Sequence, residues 1–205
     1  MKISIKAVII WGLVILATFS IVGYVIGYSY GFEKCKEQKT IIVHTEFDIK
    51  PEEPEGEPYY PFLKKEISDY ICSLSKELQI DSDLVVAHLM VENPTFDPEA
   101  IHKNENGTFD CGMFQLSDKW TYITFLPAFW DIDIEFDIFN WKHNTFIACH
   151  LIKDLNDSLK VQDDAIMAYN CGIGRVMNNT VPESTKRYLS SVKNNLIMLK
   201  NIQHY

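Results

Sequence analysis

An uninterrupted uncharged run from Ala7 to Phe32 separates this chain into parts that cannot share one fold. The apolar part of the run, from Ala7 to about Ile26, reaches the roughly 20 residues that a helix needs to cross a bilayer. We therefore predict a single N-terminal transmembrane helix at residues 7–32. The alternative is a cleavable secretory signal, because Lys2 and Lys6 precede the run. No convincing small-x-small cleavage site follows it, which favours an uncleaved anchor.

Three glycines, Gly23, Gly27 and Gly31, recur within this run on one predicted helix face. Small residues at this spacing let two membrane helices approach closely, which indicates a possible homodimer through this face. The alternative is that glycine is simply common in membrane helices. The lysines on the two sides of the run do not decide its orientation.

The 205-residue chain has a formal net charge of −9, which argues against binding to nucleic-acid phosphates. Acidic residues and prolines are concentrated after the anchor, and such a composition gives an extended, self-repelling spacer. The predicted segments are a short tail at 1–6, the anchor at 7–32, the spacer at 33–59 and a folded domain at 60–205.

The folded domain reads as mainly helical. An apolar stripe at helical spacing predicts a first amphipathic helix from Phe62 to Leu78. A second, apolar helix follows, with Asp81 as a plausible N-cap. It should end near Glu92, because Pro94 forces the residue before it out of the α region.

Glu92 is thereby placed in the last turn of an apolar helix. The negative end of the helix dipole and apolar neighbours both disfavour an ionised carboxylate, which raises its pKa toward the range of a general acid. His88 lies one turn earlier, and a charged imidazole there would instead lower the pKa of Glu92. The alternative is an ordinary surface glutamate at a helix end.

The rest of the chain predicts a small β element and further helices. Asn106-Gly107 is a strong hairpin signal. Aromatic residues are dense between Trp120 and Trp141, and most of them are expected to be core anchors rather than sugar platforms. Three further helices are predicted. The first runs from Asn144 to Asp154, and the second is capped by Asp163 or Asp164 and broken by Gly172 and Gly174. The last begins at Pro182 and ends at about Leu199.

Three segments carry a family resemblance. They are Glu92-Asn93, Asp110-Cys111-Gly112-Met113-Phe114-Gln115-Leu116 and Ala168-Tyr169-Asn170-Cys171-Gly172-Ile173-Gly174-Arg175-Val176. In this order and at these separations they resemble the Glu-Ser, Gly-Leu-Met-Gln and Ala-Tyr-Asn-Ala-Gly motifs of the soluble lytic transglycosylase (SLT) family, goose-type-lysozyme-like enzymes that cut peptidoglycan. The Pro-Glu-Ser-Thr-Lys-Arg-Tyr segment at 182–188 resembles the family's Pro-x-x-Thr-x-x-Tyr helix start. The resemblance extends from about Leu78 to Leu189.

The resemblance implies a mainly α, lysozyme-like domain with a small β-hairpin. It implies a lytic transglycosylase that uses Glu92 as its single catalytic acid and base, without a metal or a cofactor. In this family the substrate's own 2-acetamido group is thought to stabilise the oxocarbenium charge, after which the glutamate helps the C6 hydroxyl of N-acetylmuramic acid to close a 1,6-anhydro ring. The residues expected to bind the glycan strand are Asn93, Gly112, Met113, Phe114, Gln115, Tyr169 and Asn170.

Each of these residues has an expected role. Gly112 would let a sugar approach the backbone, and Met113 and Phe114 would cover the catalytic carboxyl with apolar atoms. Gln115 would bond the substrate, or else satisfy buried backbone. Tyr169 and the asparagine after it would donate to the carboxyl and to the acetamido group.

Some positions depart from the family pattern. Asn93 stands where the family has serine, and the interval from Glu92 to Phe96 is one residue longer than usual, so Asn93 need not occupy the serine position. Cys171 and Ile173 replace the common alanine and proline of the third motif.

The cysteines, Cys35, Cys72, Cys111, Cys149 and Cys171, show no zinc-ligand spacing. Cys111 and Cys171 lie in motifs that are expected to face each other across a cleft, where a disulfide would be possible. Reduced thiols, with Cys171 filling the space of the family's alanine, are the favoured alternative.

Three hypotheses follow. The first is a membrane-anchored lytic transglycosylase acting on peptidoglycan strands, the second a hydrolytic goose-type lysozyme, and the third a non-catalytic wall-binding scaffold. A wall substrate would place the domain on the periplasmic or wall side of a bacterial inner membrane, or else on a phage or virion membrane.

Overall fold

The computed structural model describes residues 41–42, 60–121 and 135–202. The predicted membrane helix at 7–32, with its glycines, lies outside the described residues, as does Cys35. Within the described ranges, no helix has both the length and the apolar character needed to cross a membrane. The chain divides into the units Met1–Lys39 and Thr40–Tyr205, and every described residue belongs to the second.

Helices make up most of the described fold, as predicted, together with short antiparallel strands. The helices are α1 (Lys65–Leu78), α2 (Ser82–Glu92), α3 (Asp118–Trp120), α4 (Trp141–Leu159), α5 (Gln162–Cys171), α6 (Ile173–Met177) and α7 (Glu183–Ile202). The strands are β1 (Ile41–Ile42), β2 (Ile101–Lys103), β3 (Phe109–Cys111), β4 (Leu116–Ser117) and β5 (Glu135–Phe136).

Helix α1 buries the predicted apolar stripe. Ile67, Ile71 and Leu74 on this stripe are all buried. Lys64 precedes the helix with a ψ of 139°, so the helix begins after it rather than at the predicted Phe62.

Helix α2 begins and ends where the sequence predicts. The side chain of Asp81 accepts a hydrogen bond of 2.9 Å from the backbone N–H of Asp83, which satisfies one of the free donors at the helix start. Glu92 is its last residue. The helix is buried along most of its length and packs against α1 and α7.

Strands β2, β3 and β4 form one antiparallel sheet. Ile101 pairs with Cys111, and Asp110 pairs with Ser117. Gly107 takes the positive φ of 83° in the turn between β2 and β3, which confirms the predicted hairpin. The third strand, β4, was not predicted.

Strand β1 comes from the predicted spacer. Ile41 pairs with Phe136 and Ile42 with Glu135, in antiparallel register. At least these two residues of the predicted 33–59 spacer therefore pair with a strand of the unit Thr40–Tyr205.

Helix α4 is longer than predicted. The Asn140 side chain accepts hydrogen bonds from the backbone N–H groups of Lys142 and His143, at 3.0 and 3.4 Å, and so caps the helix. Asn144, the predicted start, lies inside the first turn and is fully buried.

The start of helix α5 also differs from the prediction. Val161 occupies the N-cap position without a side-chain bond, and Asp163 and Asp164 lie in the first turn, where the helix dipole favours negative charge. Gly172 ends the helix with a φ of 86°. Gly174, predicted to break the helix as well, lies inside the short helix α6.

The longer helices pack against one another. Helix α4 packs on α1 and α5, and α7 packs on α2 and α5. Much of the aromatic-rich segment lies outside the described residues. Within them, Phe136 is fully buried, and the ring of Trp141 meets that of Tyr70 edge-on at 5.5 Å, in keeping with the predicted core role.

Candidate active site

A cavity of about 460 Å³ lies where the end of α2, strand β3, helix α4 and helix α5 approach one another. This volume suits a small-molecule or sugar ligand. The lining residues are Glu92, Asp110, Gln115, Leu116, Ser117, Trp120, Leu151, Asp154, Leu155, Ala168, Tyr169, Asn170, Gly172 and Ile173. Of the predicted site residues, those that line the cavity are Glu92, Gln115, Tyr169 and Asn170, and those outside its lining are Asn93, Gly112, Met113 and Phe114.

Glu92 presents a half-buried carboxyl group to this cavity. Burial raises its pKa to about 8; a hydrogen bond with Tyr188 opposes this shift, and the negative charge of Asp110 adds to it. A carboxyl group with this pKa keeps its proton at neutral pH. Glu92 therefore has the protonation state that a general acid needs.

Tyr188 is the tyrosine that bonds to Glu92. It lies on α7 and is buried, and burial together with the charge of Glu92 raises the pKa of its hydroxyl. The family resemblance predicted this contact for Tyr169 instead. The Pro-x-x-Thr-x-x-Tyr segment that ends at Tyr188 was the available signal, because it places a tyrosine in the first turns of the helix that packs on α2.

His88 carries no charge in this environment. Its side chain is only 1% exposed, and burial lowers its pKa to about 3. The Nδ1 atom lies 2.8 Å from the Tyr188 hydroxyl, and the ring centroid lies 4.6 Å from that of Tyr169. A neutral imidazole cannot lower the pKa of Glu92 by charge, so the effect considered from the sequence does not operate.

Asp110 is a second carboxylate that lines the cavity, and it was not among the predicted site residues. Burial raises its pKa, and a hydrogen bond with Asn104 opposes that shift. The alternation of strand β3 was the available signal. Phe109 and Cys111 are buried, so the residue between them must point to the opposite face.

Asn144 holds the loop of the second motif in place. Its Nδ2 donates to the carbonyl oxygens of Cys111 and Ile138, at 3.0 and 2.9 Å. Its Oδ1 accepts from the backbone N–H of Phe114 at 2.8 Å. One buried side chain thus satisfies three backbone groups, and it fixes the loop on which Gln115 stands.

The side-chain amide nitrogen of Gln115 forms hydrogen bonds with the backbone. Nε2 donates to the carbonyl oxygens of Gly112, at 2.8 Å, and Ala100, at 3.2 Å. The residue has a φ of 47°, an uncommon conformation for a residue with a side chain. This arrangement matches the structural alternative considered for Gln115, while the side chain still borders the cavity.

Tyr169 and Asn170 border the cavity and bond within the protein. The Tyr169 hydroxyl donates to the carbonyl oxygen of Phe114 at 3.0 Å, and so ties α5 to the second-motif loop. The Asn170 Oδ1 accepts a hydrogen bond of 2.7 Å from the Thr185 hydroxyl on α7, while the residue itself is exposed.

Asn93 shapes the turn after α2. It is 4% exposed, its Oδ1 accepts from the Thr95 hydroxyl at 2.7 Å, and its Nδ2 donates to the Asp97 carbonyl oxygen at 2.7 Å. With these two hydrogen bonds, the Asn93 side chain holds the turn that contains the extra residue before Phe96. The geometry thus gives Asn93 a structural role, and the substrate contact expected of it stays a prediction.

Met113 and Phe114 belong to the core. Both side chains are 0% exposed, so neither offers a surface to a substrate. They can still contribute the apolar surroundings that were predicted for the catalytic carboxyl.

Among the described residues, the structure shows no disulfide between any two cysteines. Cys72, Cys111 and Cys149 are buried, and Cys171 is half-buried. The structure shows no bond between Cys111 and Cys171. Among the described residues, no cluster of three or more histidine, cysteine, aspartate or glutamate side chains could hold a metal ion.

Comparisons with known proteins agree with this geometry. A family model described as the transglycosylase SLT domain matches residues 69–190. The structure of an inactive mutant of the lytic transglycosylase Slt from Pseudomonas aeruginosa is similar in fold, with a TM-score of 0.53 and 13% sequence identity. That similarity covers 66% of this chain and 24% of that chain, so this chain spans a minor part of that protein. The search of curated protein sequences gave no match.

Proposed function

Because this chain belongs to the transglycosylase SLT domain family, we propose that it is a peptidoglycan lytic transglycosylase. It cleaves the β-1,4 bond between N-acetylmuramic acid and N-acetylglucosamine and leaves 1,6-anhydro-N-acetylmuramic acid ends. The observation that carries the proposal is the neutral carboxyl group of Glu92, with a pKa of about 8, in a cavity of about 460 Å³.

In the first step, Glu92 gives its proton to the glycosidic oxygen as the bond to the anomeric carbon breaks. Breaking this bond leaves positive charge on the anomeric carbon and ring oxygen, which must be stabilised. The substrate's 2-acetamido oxygen can do this by bonding to the anomeric carbon, so that no protein nucleophile is needed.

In the second step, the Glu92 carboxylate takes the proton of the C6 hydroxyl on the same sugar. The C6 oxygen then attacks the anomeric carbon and displaces the acetamido oxygen, which closes the anhydro ring. Glu92 ends the cycle protonated, and water is not consumed. A glutamate-to-glutamine substitution, the change in the inactive form of the Pseudomonas protein, would block both steps because an amide cannot exchange this proton.

A hydrolytic lysozyme is the second candidate, and Asp110 is the observation that favours it. Many glycosidases place two carboxylates on either side of the bond, one as the acid and the other as base or nucleophile. Asp110 lines the same cavity as Glu92 and is close enough for its charge to raise the pKa of Glu92. Hydrolysis would leave reducing ends in place of anhydro ends.

Mass analysis of digested peptidoglycan distinguishes these candidates. The full chain is incubated with purified peptidoglycan, and the soluble fragments are separated and weighed. Fragments with anhydro ends support the transglycosylase, and fragments heavier by one water indicate a muramidase. A folded chain that releases no soluble fragment would instead indicate the wall-binding scaffold.

We further propose that residues 7–32 anchor the protein in a bacterial cytoplasmic membrane, with the domain on the wall side. The uncharged run and the proposed wall substrate support this placement. A homodimer through Gly23, Gly27 and Gly31 is part of the proposal. Fractionation tests the anchor: the intact chain should remain with membranes, whereas a soluble form lacking roughly its first thirty residues would indicate a cleaved signal.

A further inference from the structure

The Tyr188 hydroxyl lies between two groups that can accept its proton. On one side it lies close enough to the Glu92 carboxyl group for a hydrogen bond between them to influence the pKa of both groups. On the other side, the Nδ1 atom of His88 lies 2.8 Å away. A phenol has only one proton to donate, so the two groups compete for it.

His88 can compete because its imidazole is buried and uncharged. A neutral imidazole has one nitrogen with a proton and one with a lone pair, and the lone pair accepts a hydrogen bond. The ring is held between Tyr169 and Tyr188, with centroid distances of 4.6 and 5.8 Å. It is thus fixed in place with Nδ1 directed at the hydroxyl.

The other titratable groups around Glu92 and its cavity come from four elements. Asp110 faces it from β3, and Tyr169 and Tyr188 face it from α5 and α7. Asp154 lines the same cavity from α4. Neither tyrosine ionises in the range where a glutamic acid titrates, because burial raises the pKa of each hydroxyl.

We propose that His88 is a positioning residue that holds the Tyr188 proton at its Nδ1 and thereby keeps Glu92 in the protonated form that begins each turnover. With its proton directed at His88, the hydroxyl oxygen presents a lone pair to the carboxyl group. A protonated Glu92 can donate to that lone pair, whereas an ionised Glu92 gains a hydrogen bond from the hydroxyl only when the hydroxyl gives up its bond to His88. The inference rests on the proposed acid and base role of Glu92 and deepens it.

The same arrangement serves both halves of the cycle. Once Glu92 has given up its proton, the carboxylate is a stronger acceptor than the imidazole, and the Tyr188 hydroxyl turns toward it. The hydroxyl turns back when Glu92 recovers a proton from the C6 hydroxyl. Tyr188 itself neither gains nor loses a proton.

Substitutions of His88 test this inference. His88→Leu removes the acceptor and leaves the Tyr188 proton free for the carboxylate, so the pKa of Glu92 should fall by about one unit, the size expected for one hydrogen bond to a charged group. His88→Met, with a more adaptable side chain, should act in the same way. His88→Asn restores a polar atom close to the Nδ1 position and should return the pKa toward that of the wild type.

The Glu92 titration is measured by carboxyl NMR on the full chain without substrate, with Glu92→Gln used to assign the signal. In parallel, the alkaline limb of kcat/KM against pH should move to lower pH in His88→Leu, with KM little changed. In a Tyr188→Phe background, His88→Leu should add no further shift, because the connecting hydroxyl is absent. A role confined to packing predicts that the shift persists in that background.

The outcomes separate this inference from the proposed function. An unchanged Glu92 titration in folded His88→Leu or His88→Met would overturn the inference, even in an active enzyme. A shift that persists without Tyr188 would overturn it as well. A shift in the Glu92 pKa that needs Tyr188 and is reversed by His88→Asn establishes the inference. If the same protein cleaves no peptidoglycan, the inference still holds and only the proposed function fails.

Discussion

The side-chain nitrogen of Asn144 occupies the space that a Cβ atom on residue 112 would need, and the carbonyl oxygen of Ile138 borders the same space. Gly112 also has a φ of 76°, a conformation that residues with side chains rarely adopt. The fold thus requires a glycine in the second motif, independently of any sugar that approaches it. Gly112 and Gln115 lie on the loop that joins β3 to β4.

Gly112→Ala should destabilise the domain severely. We expect a loss of at least about 3 kcal/mol in the free energy of unfolding, from the positive φ and the overlap with a fixed, fully bonded Asn144. Gly107→Ala is the matched control, because Gly107 has a φ of 83° but nothing within 4 Å of its Cβ position. It should lose about 1 kcal/mol. If denaturant unfolding shows that both variants lose the same free energy of unfolding, the contact with Asn144 adds nothing to the cost of a side chain at residue 112.

Asn144→Asp should be comparably severe. The carboxylate cannot donate to the carbonyl oxygens of Cys111 and Ile138, and it buries a charge, so we expect a loss of about 3 to 5 kcal/mol. Asn140→Ala, which removes only the cap of α4, should lose about 1 kcal/mol. A stability close to that of Asn140→Ala would contradict the role given to Asn144.

Because of Glu92, the free energy of unfolding should fall as the pH rises. Its pKa is raised from 4.5 to about 8 in the folded protein, so between these values the folded state holds a proton that the unfolded state has lost. The stabilisation is complete below pH 4.5 and is lost as the pH rises through about 8. Glu92→Gln should remove this part of the slope, and parallel stability curves for the two proteins would contradict the raised pKa.

Asp110→Asn should lower the pKa of Glu92, because it removes a negative charge that opposes ionisation. The alkaline limb of activity should therefore move to lower pH, while the products keep their anhydro ends. Asp154→Asn is the control, since it removes a carboxylate elsewhere in the cavity and should leave that limb in place. If a folded Asp110→Asn variant loses cleavage completely, Asp110 instead acts directly in the reaction, as the lysozyme candidate requires.

The sequence predicted those parts of the fold that local physics determines. The position of Glu92 follows from Asp81 at one end of α2 and Pro94 at the other, and the turn at Gly107 follows from its preference for positive φ. The start of α4 was missed because two asparagines compete as caps. Asn140 caps the helix, while Asn144 is used by a loop that is distant in sequence.

Site contacts were harder to predict because they join distant parts of the chain. Tyr169 and Tyr188 both lie near Glu92, and only the packing of α7 on α2 decides which hydroxyl reaches the carboxyl group. Similarly, nothing local to His88 shows that it is buried and uncharged. The role of Asn93 is clear only once its bonds to Thr95 and Asp97 are seen.

The central claim is that Glu92 is the acid and base of a peptidoglycan-cleaving reaction, and the release of soluble fragments by the wild type and Glu92→Gln tests it most directly. Both full-length proteins are incubated with purified peptidoglycan at equal concentration, with Glu99→Gln, an exposed glutamate near the same helix end, as the control. The wild type and Glu99→Gln should release fragments with anhydro ends. Glu92→Gln, which keeps the shape of the side chain, should be slower by about 10²-fold or more. Cleavage at the wild-type rate by a folded Glu92→Gln protein would contradict the account.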